Sequence, residues 1–520
     1  MSDRLPFDVA RLGIEPGTPP DPCVMVIFGA GGDLTRRELV PSLFELHRKR
    51  LLPDGFAVIG FSQTGWDVSA FRDAMRRAVR ESCGSVADWD TFASRLSFVS
   101  GDAMSAPHED YAVLAAEIGR VQSAFSISGN VLFHLAVPAA LFGVIAQRLG
   151  GSGLAASPDG WRRLVVEKPF GKDRASARAL DRQLREVFGE EQIYRVDHYL
   201  GKETVQNMLV VRFANPSFEP VWNRNYIDHI QITVAEEIGI GTRAAFYEQT
   251  GVVRDMVQNH LLQLLCMVAM EPPLRYDALS LRDETVKVLE AVTLASADID
   301  AVAVRGQYGD GSIAGQRVSG YREERGVPGG SGTETFAALK LTLDNWRWSD
   351  VPVYLRTGKR LTRALTEVAI QFKPTPHQMF SAEHRRPAHH SVLAFEVQPN
   401  EGIVQTLAAK QPGPELMVRT VTMNFRYAEA FGVEEPPRAY AWLLLDAMQG
   451  DQTLFARADW IDRAWQIIDP IVEHWASEPP ADFPNYTAGS PGPDAAEQLI
   501  QRDGRRWRDL SHHSQAISDS

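Results

Sequence analysis

The sequence predicts an α/β part followed by an α+β part, and three observations support that order. Up to about residue 200, short apolar runs alternate with polar segments of helical composition. Buried strands with helices between them are typical of a parallel, doubly wound sheet. Farther along the chain, apolar and polar residues alternate within single strands, which indicates an antiparallel or mixed sheet with one exposed face. The length of 520 residues is sufficient for both parts.

The elements of the first part follow from its apolar runs and the segments between them. A turn at Gly29–Gly32 follows the first run, and Asp33 is expected to cap the next helix. In that helix Leu39, Leu43 and Leu46 have helical spacing. The predicted strands are Val24–Phe28, Phe56–Gly60, Leu96–Val99, Val131–Val137 and Leu164–Val166. The predicted helices include Val68–Arg80 and Ala175–Phe188.

The second part combines alternating strands with longer helices. Apolar residues alternate with polar ones in two clear runs, Ile230, Ile232 and Val234, and Leu339, Leu341 and Leu343. Two segments have the composition of longer helices, Val252–Met270 and Ala439–Leu454. This mixture predicts an α+β fold built on a large sheet.

Charge and cysteine content exclude several classes of protein. With 54 Lys and Arg against 66 Asp and Glu, the net charge of −12 argues against a binder of nucleic acid or of an anionic membrane. Three cysteines are too few for a disulfide framework and favour a reducing, cytoplasmic compartment. No apolar run is long enough to cross a bilayer. The histidines lack the spacing of metal ligands, so we expect no metal.

The first motif is Gly29-Ala30-Gly31-Gly32-Asp33-Leu34, between the first strand and its helix. A helix N-terminus offers free N–H groups and a positive dipole end, and glycines allow a phosphate to approach. The dinucleotide fingerprint is met only in part, because Leu34 stands in place of its third glycine. Nucleotide binding and an ordinary glycine-rich turn are therefore equally good interpretations of this motif alone.

The second motif, Glu167-Lys168-Pro169-Phe170-Gly171, follows a predicted strand. Ligands of open α/β sheets bind beyond the carboxyl ends of the strands, so Lys168 could reach both a cofactor and a substrate. A solvated lysine at a strand end is the alternative interpretation.

The third motif, Arg195-Val-Asp197-His198-Tyr199-Leu-Gly-Lys202-Glu203, supplies a cation and neutral donors, which suit a phosphate monoester. Asp197 could instead orient a catalytic imidazole. A polar helix end is an equally good interpretation of these residues.

The fourth motif, Gly251-Val-Val-Arg-Asp255-Met-Val-Gln-Asn259-His260-Leu-Leu-Gln, reads as part of a helix. With α-helical spacing, Asp255 and Asn259 share a face, and His260 lies between Met256 and Leu264. By itself this pattern favours a buried core histidine.

Taken in order, these motifs resemble the glucose-6-phosphate dehydrogenase family. The resemblance runs from about Val24 to about Leu510 and includes GAGGDL, EKPFG, RVDHYLGKE, RFANPSFEPVWN, GVVRDMVQNHLLQ, VPVYLRTGKRL and VQPNE. It implies a dinucleotide-binding Rossmann-type domain over 22–200 and an α+β substrate and oligomerisation domain over 201–510, with a large, mostly antiparallel sheet. A flexible leader over 1–21 and a disordered tail over 511–520 complete the expected organisation.

The resemblance also implies a reaction and a set of residues. Members of the family oxidise the C1 hydroxyl of glucose 6-phosphate to a lactone and pass hydride to NADP, with NAD as an alternative acceptor. A homodimer or homotetramer is expected as well. His260 matches the general base and Asp197 the carboxylate that orients it. The substrate residues implied are Lys168, His198, Tyr199, Lys202, Glu236, Asp255, Lys359 and Gln398, and the cofactor residues are Gly29, Ala30, Gly31, Gly32, Asp33, Leu34, Gln63 and Lys168.

The sequence departs from the family pattern at four positions. Gly31 stands where a Ser or Thr is usual, and Gln63 where NADP-dependent relatives usually have an Arg. Ala364 replaces an Arg found in some relatives. Glu396 replaces an Arg that animal members use for a second, structural NADP, so we expect no such second site.

Two other functions are consistent with the same scaffold. A non-catalytic sensor of sugar phosphates or nucleotides is expected to lack His260, Asp197 or Lys168, and all three are present. A dehydrogenase of an unphosphorylated sugar does not require the predicted phosphate-binding residues from His198 to Lys202.

Overall fold

The computed structural model describes residues 19–377, 379–380, 391–432 and 438–510. The chain divides into two compact units. The first comprises Met1–Gly201, Asp277–Arg282 and Glu435–Ile461, and the second comprises Lys202–Tyr276, Asp283–Glu434 and Asp462–Ser520. The expected leader, apart from residues 19–21, and the expected tail lie outside the described residues.

Six parallel strands form the sheet of the first unit. They are β1 (Cys23–Phe28), β2 (Phe56–Ser62), β3 (Leu96–Ser100), β4 (Val131–Leu135), β5 (Arg162–Val166) and β6 (Ile193–Arg195). Their order is β3-β2-β1-β4-β5-β6, which is the order of a doubly wound dinucleotide-binding sheet. Strands β1 and β4 are buried along their whole length, which explains why they are continuous apolar runs.

A nine-stranded mixed sheet is the centre of the second unit. Its strands are β7 (Ile227–Ala235), β8 (Val292–Leu294), β9 (Ala303–Gly306), β13 (Phe336–Leu343), β14 (Val353–Gly358), β15 (Leu365–Phe372), β16 (Val392–Gln398), β17 (Gly402–Lys410) and β18 (Val418–Arg426). Their order is β18-β17-β16-β15-β7-β14-β13-β8, and β9 also pairs with β13. The short strands β10 (Tyr308–Gly309), β11 (Gly311–Ile313), β12 (Gln316–Val318) and β19 (Tyr486–Thr487) form two small sheets. Only β7 and β14 pair in parallel within the described part of the large sheet.

The α-helices lie in both units. In chain order they are α1 (Val40–Arg48), α2 (Val68–Cys83), α3 (Trp89–Ala93), α4 (Asp110–Ala124), α5 (Phe142–Gly151), α6 (Arg174–Arg185), α7 (Glu203–Ala214), α8 (Ala244–Val252), α9 (Leu262–Ala269), α10 (Ala278–Ala291), α11 (Ile299–Val302), α12 (Tyr427–Phe431), α13 (Ala439–Gln449), α14 (Ala458–Ser477) and α15 (Asp494–Gln501). Two π-helical segments, Thr35–Leu39 and Val253–Leu261, lead into α1 and α9. Throughout the described ranges, every helix is too short or too polar to span a lipid bilayer.

The predicted fold class is confirmed, with differences in detail. Asp33 lies within the first helical turn, and its carboxylate contacts Arg37 at 3.0 Å instead of capping the helix. The two late segments 277–282 and 435–461 group with the first unit, whereas we expected each domain to be one continuous stretch. A division based on sequence order cannot anticipate this, because packing groups residues by apolar contact and not by position in the chain.

Candidate active site

The turn after β1 brings the backbone close to its neighbours. Gly29 has a φ of +82°, and a Cβ there would lie 2.2 Å from the carbonyl oxygen of Ala136. The Gly29 N–H donates to the Phe61 carbonyl at 2.9 Å, and the Gly32 N–H donates to the Gly29 carbonyl at 2.8 Å. The Thr35 hydroxyl donates to the same Gly29 carbonyl at 3.2 Å. Glycine is therefore required at position 29, where the chain turns from β1 into the helix.

The structure explains why Gly31 lacks a side chain. A Cβ at this position would lie 2.8 Å from the Thr64 hydroxyl oxygen and 3.4 Å from that of Ser62. The Ser62 and Thr64 hydroxyls also bond to each other. The hydroxyls of Ser62, the last residue of β2, and of Thr64 thus occupy the space that a side chain at position 31 would need. Gln63, between them, is exposed.

Lys168 follows β5, and the neighbouring Glu167 belongs to a buried polar network. The Tyr440 hydroxyl donates to Glu167 Oε2 at 3.0 Å, and Nε2 of His134 lies 3.4 Å from Glu167 Oε1. Burial, reinforced by the negative charge of Glu167, raises the pKa of Tyr440. Its hydroxyl therefore remains protonated and can donate to Glu167. Lys168 could be predicted from the sequence but this network could not, because Tyr440 comes from a distant part of the chain.

Asp197, His198 and Tyr199 lie just beyond β6 in the first unit. Asp197 is buried, and its Oδ1 accepts a hydrogen bond from the Tyr199 N–H at 3.0 Å. The ring centroid of His198 lies 5.0 Å from that of Tyr199. On its other side, the His198 ring stacks on Tyr440, with 6.4 Å between the centroids and 8° between the planes. The strand end and α13 together hold these side chains in place.

In the second unit, a hydrogen bond joins Lys202 to Gln398. Both are predicted substrate residues, and they lie far apart in sequence. The Lys202 ammonium donates to Gln398 Oε1 at the end of β16. Burial lowers the pKa of Lys202, although attraction to Glu401 opposes that shift. Burial also raises the pKa of Glu401. A phosphate dianion at this position would compensate the buried ammonium better than an amide oxygen does.

Glu236 and Lys359 meet because the two strands before them run in parallel. Ala235 of β7 pairs with Gly358 of β14, so the next residue of each strand lies at the same edge of the sheet. The Glu236 N–H donates to the Gly358 carbonyl at 2.9 Å, and the two side chains form an ion pair. The Lys359 ammonium also lies 5.3 Å from the centre of the Tyr247 ring.

Asp255 and His260 lie on the π-helix Val253–Leu261, and both are buried. The segment is a π-helix, with hydrogen bonds from i to i+5, where the sequence predicted α-helical spacing. The Asn259 side chain makes hydrogen bonds to the backbone of the same helix. Its side-chain amide donates to the Arg254 carbonyl at 3.1 Å, and its Oδ1 accepts the His260 N–H at 2.6 Å.

Glu334 packs against the start of this π-helix. The Val252 N–H donates to the Glu334 carbonyl at 3.1 Å, and the Val253 N–H donates to its Oε1 at 3.4 Å. Burial raises the pKa of Glu334. Gly251 has a φ of +65°, and a Cβ there would lie 2.1 Å from the Glu334 carboxylate. Glycine is thus required at the first position of the fourth motif by its positive φ, and the Glu334 carboxylate fills the space beside it.

Two departures from the family pattern lie near the large sheet. Glu396 of β16 forms an ion pair with Arg426, which also donates to the Asn400 carbonyl at 2.7 Å. Ala364 is exposed just before β15. The expectation that no second dinucleotide binds here stays a prediction.

Comparison with known proteins covers nearly the whole chain. The model of the glucose-6-phosphate dehydrogenase NAD binding domain matches residues 26–207, and that of the C-terminal domain matches residues 209–508. Glucose-6-phosphate 1-dehydrogenase of Aggregatibacter actinomycetemcomitans is 46% identical over 488 residues, 94% of this chain and 97% of that protein. The enzyme of Rhizobium meliloti is 43% identical over 498 residues, 94% of this chain and 98% of that one.

Solved structures agree with the sequence comparisons. A glucose-6-phosphate dehydrogenase in complex with glucose 6-phosphate superposes with a TM-score of 0.85 at 32% identity, covering 95% of this chain and all (100%) of that one. Glucose-6-phosphate 1-dehydrogenase of Mycobacterium avium gives a TM-score of 0.80 at 36% identity and covers 96% of this chain and 100% of that one. The chain belongs to the glucose-6-phosphate dehydrogenase family.

Proposed function

We propose that this protein oxidises glucose 6-phosphate at C1 to 6-phospho-D-glucono-1,5-lactone, the first step of the oxidative pentose phosphate pathway, with NADP as hydride acceptor and NAD as an alternative. One observation carries the proposal: the chain matches a glucose-6-phosphate dehydrogenase solved with that substrate over 95% of its length. The experiment is an initial-rate assay of NADP reduction with glucose 6-phosphate as substrate.

The proposed chemistry requires a base for the C1 proton. An imidazole titrates near neutral pH and suits this role, and His260 is the proposed base. Bound NADP would accept the hydride that leaves the same carbon. Asp197 is proposed to orient the imidazole and to stabilise its protonated form.

The sugar and its phosphate are proposed to be held by two groups of residues. His198, Tyr199 and Lys202 would bind the phosphate. Five further residues would contact the sugar: Lys168, Glu236, Asp255, Lys359 and Gln398.

The residues after β1 fit a dinucleotide. Gly29, Gly31 and Gly32 leave the turn without side chains, and a diphosphate could approach the backbone N–H groups at the start of the helix. The remaining cofactor residues we propose are Ala30, Asp33, Leu34, Gln63 and Lys168. The hydroxyls of Ser62 and Thr64 lie beside Gly31 and could donate to a phosphate oxygen.

Replacing Gln63 by Arg should increase the preference for NADP over NAD. An exposed guanidinium there can pair with the 2′-phosphate, whereas Gln63 offers only neutral hydrogen bonds. The contact is worth about 1.5–3 kcal/mol, roughly one to two decades of preference. The measurement is the NADP-to-NAD ratio of specificity constants for the wild type and for Gln63→Arg.

Two arginines beside the turn provide the control for that experiment. Arg37 contacts Asp33 at 3.0 Å, and Arg36 Nε donates to the Gly32 carbonyl at 3.3 Å. Arg36→Ala should therefore change the ratio less than Gln63→Arg does. A strong wild-type preference that only Arg36→Ala removes would contradict the role given to position 63.

Lys202→Ala should raise the Michaelis constant for glucose 6-phosphate and reduce the preference for glucose 6-phosphate over free glucose. The ammonium is the proposed cation for the phosphate, and a charge-assisted bond is worth about 1.5–3 kcal/mol, roughly ten- to a hundredfold. Because burial lowers the pKa of Lys202, the cation is lost at a lower pH than for an exposed lysine. The Michaelis constant should thus rise on the alkaline side, and Lys202→Arg should move that rise to higher pH.

Lys410→Ala is the matched control, since Lys410 is an exposed lysine of the same unit. It should leave both sugars unaffected. Equal losses on glucose and glucose 6-phosphate in Lys202→Ala would mean that the phosphate is bound by other residues.

The two alternative functions lead to different outcomes in the same assays. A non-catalytic sensor would bind glucose 6-phosphate without reducing either nucleotide. A dehydrogenase of an unphosphorylated sugar would prefer that sugar and tolerate Lys202→Ala.

A homodimer or homotetramer remains part of the proposal. Its support is the exposed face of β18, where Val421 is 40% and Met423 60% exposed although they belong to the large sheet. Exposed apolar residues on such a strand are typical of an interface. A cytoplasmic location remains a prediction that rests on the low number of cysteines.

A further inference from the structure

Tyr247, on α8, carries a buried polar group that the proposed mechanism does not use. Its side chain is fully buried, at 0% exposure. Among the described residues, its hydroxyl has no hydrogen-bond partner. A buried hydroxyl without a partner costs about 1–3 kcal/mol, and a phenylalanine would avoid that cost. We therefore expect the Tyr247 hydroxyl to have a function that compensates for this cost.

The neighbouring tyrosines show what is unusual about Tyr247. The Tyr308 hydroxyl donates to Glu324 at 2.6 Å, and the Tyr486 hydroxyl donates to the Lys359 carbonyl at 2.7 Å. The Tyr321 hydroxyl donates to Glu248. Every other hydroxyl of this cluster thus has a protein partner.

Tyr247 also lies among residues proposed to hold the sugar. The Lys359 ammonium is 5.3 Å from its ring centre, and Lys359 forms an ion pair with Glu236. Burial raises the pKa of Tyr247 well above its ordinary value, and the negative charges of Asp255 and Glu236 add to the shift. The phenol consequently remains protonated and can act as a donor.

We infer that the Tyr247 hydroxyl donates a hydrogen bond to a ring hydroxyl of the bound sugar and so helps to select glucose among sugar phosphates. The inference rests on the proposed oxidation of glucose 6-phosphate. A site built to bond a substrate hydroxyl discriminates against analogues that lack it, because its own polar group is then left unpaired. The ring of Tyr247 meanwhile packs edge-on against Tyr321, with centroids 6.1 Å apart.

Tyr247→Phe tests this role, because it removes the oxygen and keeps the ring beside Lys359. The specificity constant for glucose 6-phosphate should fall about five- to tenfold, mainly through the Michaelis constant. The substrates to compare are glucose 6-phosphate and its 2-deoxy, 3-deoxy and 4-deoxy derivatives. For the derivative that lacks the bonded hydroxyl, the ratio of the specificity constants for glucose 6-phosphate and for that derivative should be smaller in the variant than in the wild type by the same factor. The melting temperature should be unchanged or higher.

Tyr321→Phe is the matched control, since it removes a hydroxyl from the adjacent ring while Ser331 still donates to Glu248 at 2.8 Å. It should leave discrimination among the four sugars unchanged. Unchanged discrimination in Tyr247→Phe, with an active wild type, would overturn the inference alone. A wild type that neither binds nor oxidises glucose 6-phosphate would overturn the proposed function and this inference together.

Discussion

His260→Asn should lower the turnover number for glucose 6-phosphate by roughly a hundredfold or more and leave binding of the sugar largely intact. His260 is the proposed base, and a base acts in the transition state more than in the ground state. Its side chain is buried on the π-helix Val253–Leu261, so an asparagine of smaller volume fits without overpacking. Turnover is measured by initial rates, and binding is measured by calorimetry with glucose 6-phosphate.

His229→Asn is the control for that variant. His229 is also buried in the second unit, where it bonds to Asp228 at 2.6 Å and to Gln231 at 2.9 Å. Its replacement should lower stability and keep turnover within a few-fold of the wild type. Near-normal turnover in purified His260→Asn would remove His260 from the role of base.

Trp507→Ala should lower the free energy of unfolding by about 3–5 kcal/mol. The indole is largely buried, and its Nε1 donates to the Ala496 carbonyl at 2.8 Å. Its ring packs edge-on against Tyr354 of β14, with centroids 5.9 Å apart. The Arg356 guanidinium lies 4.6 Å from the ring centre, and burial lowers the pKa of Arg356 to about 10. Removing the ring takes away the surface that covers this buried cation.

The neighbouring residues explain why this loss should spread through the second unit. Arg505 bonds to Asp228 of β7 at 2.8 Å, and Arg508 bonds to Glu367 of β15 at 2.7 Å. These contacts hold the segment around Trp507 across the sheet. Thermal and denaturant unfolding measure the effect, with Trp346→Ala as control because Trp346 is 90% exposed. A similar small change in both variants would contradict the structural role given to Trp507.

Five of the six strands of the first sheet could be predicted because they are buried over most of their length, whereas the three-residue strand β6 was not predicted. A continuous apolar run such as Val24–Phe28 then allows no other regular assignment of comparable length. The strand ends were less certain: the run Val131–Val137 ends as a strand at Leu135. In the second unit, the alternation around Ile230 identified β7, but the exposed face that it predicted is wrong for this strand, because Gln231 and Thr233 are buried. The parallel pairing of β7 with β14 could not be derived, since side-chain period is the same in both orientations.

The arrangement around His260 shows where sequence reasoning ends. A π-helix differs from an α-helix by one residue per hydrogen-bonded turn and has no compositional signature, so α-helical spacing was the default expectation. Glu334, Tyr247 and Tyr440 were missed for a different reason. Each lies apart from the recognisable motifs, and only packing brings it beside a motif residue. At the exposed Gln63, the expected cofactor preference depends mainly on side-chain chemistry and little on packing.

The most direct test of the proposed function is the ratio of specificity constants for glucose 6-phosphate and free glucose, measured with purified protein and either NADP or NAD. We predict reduction of NADP that depends on glucose 6-phosphate, detectable reduction of NAD, and a strong preference for the phosphorylated sugar. Absence of reduction of both nucleotides at saturating glucose 6-phosphate, or equal constants for the two sugars, would contradict the proposal.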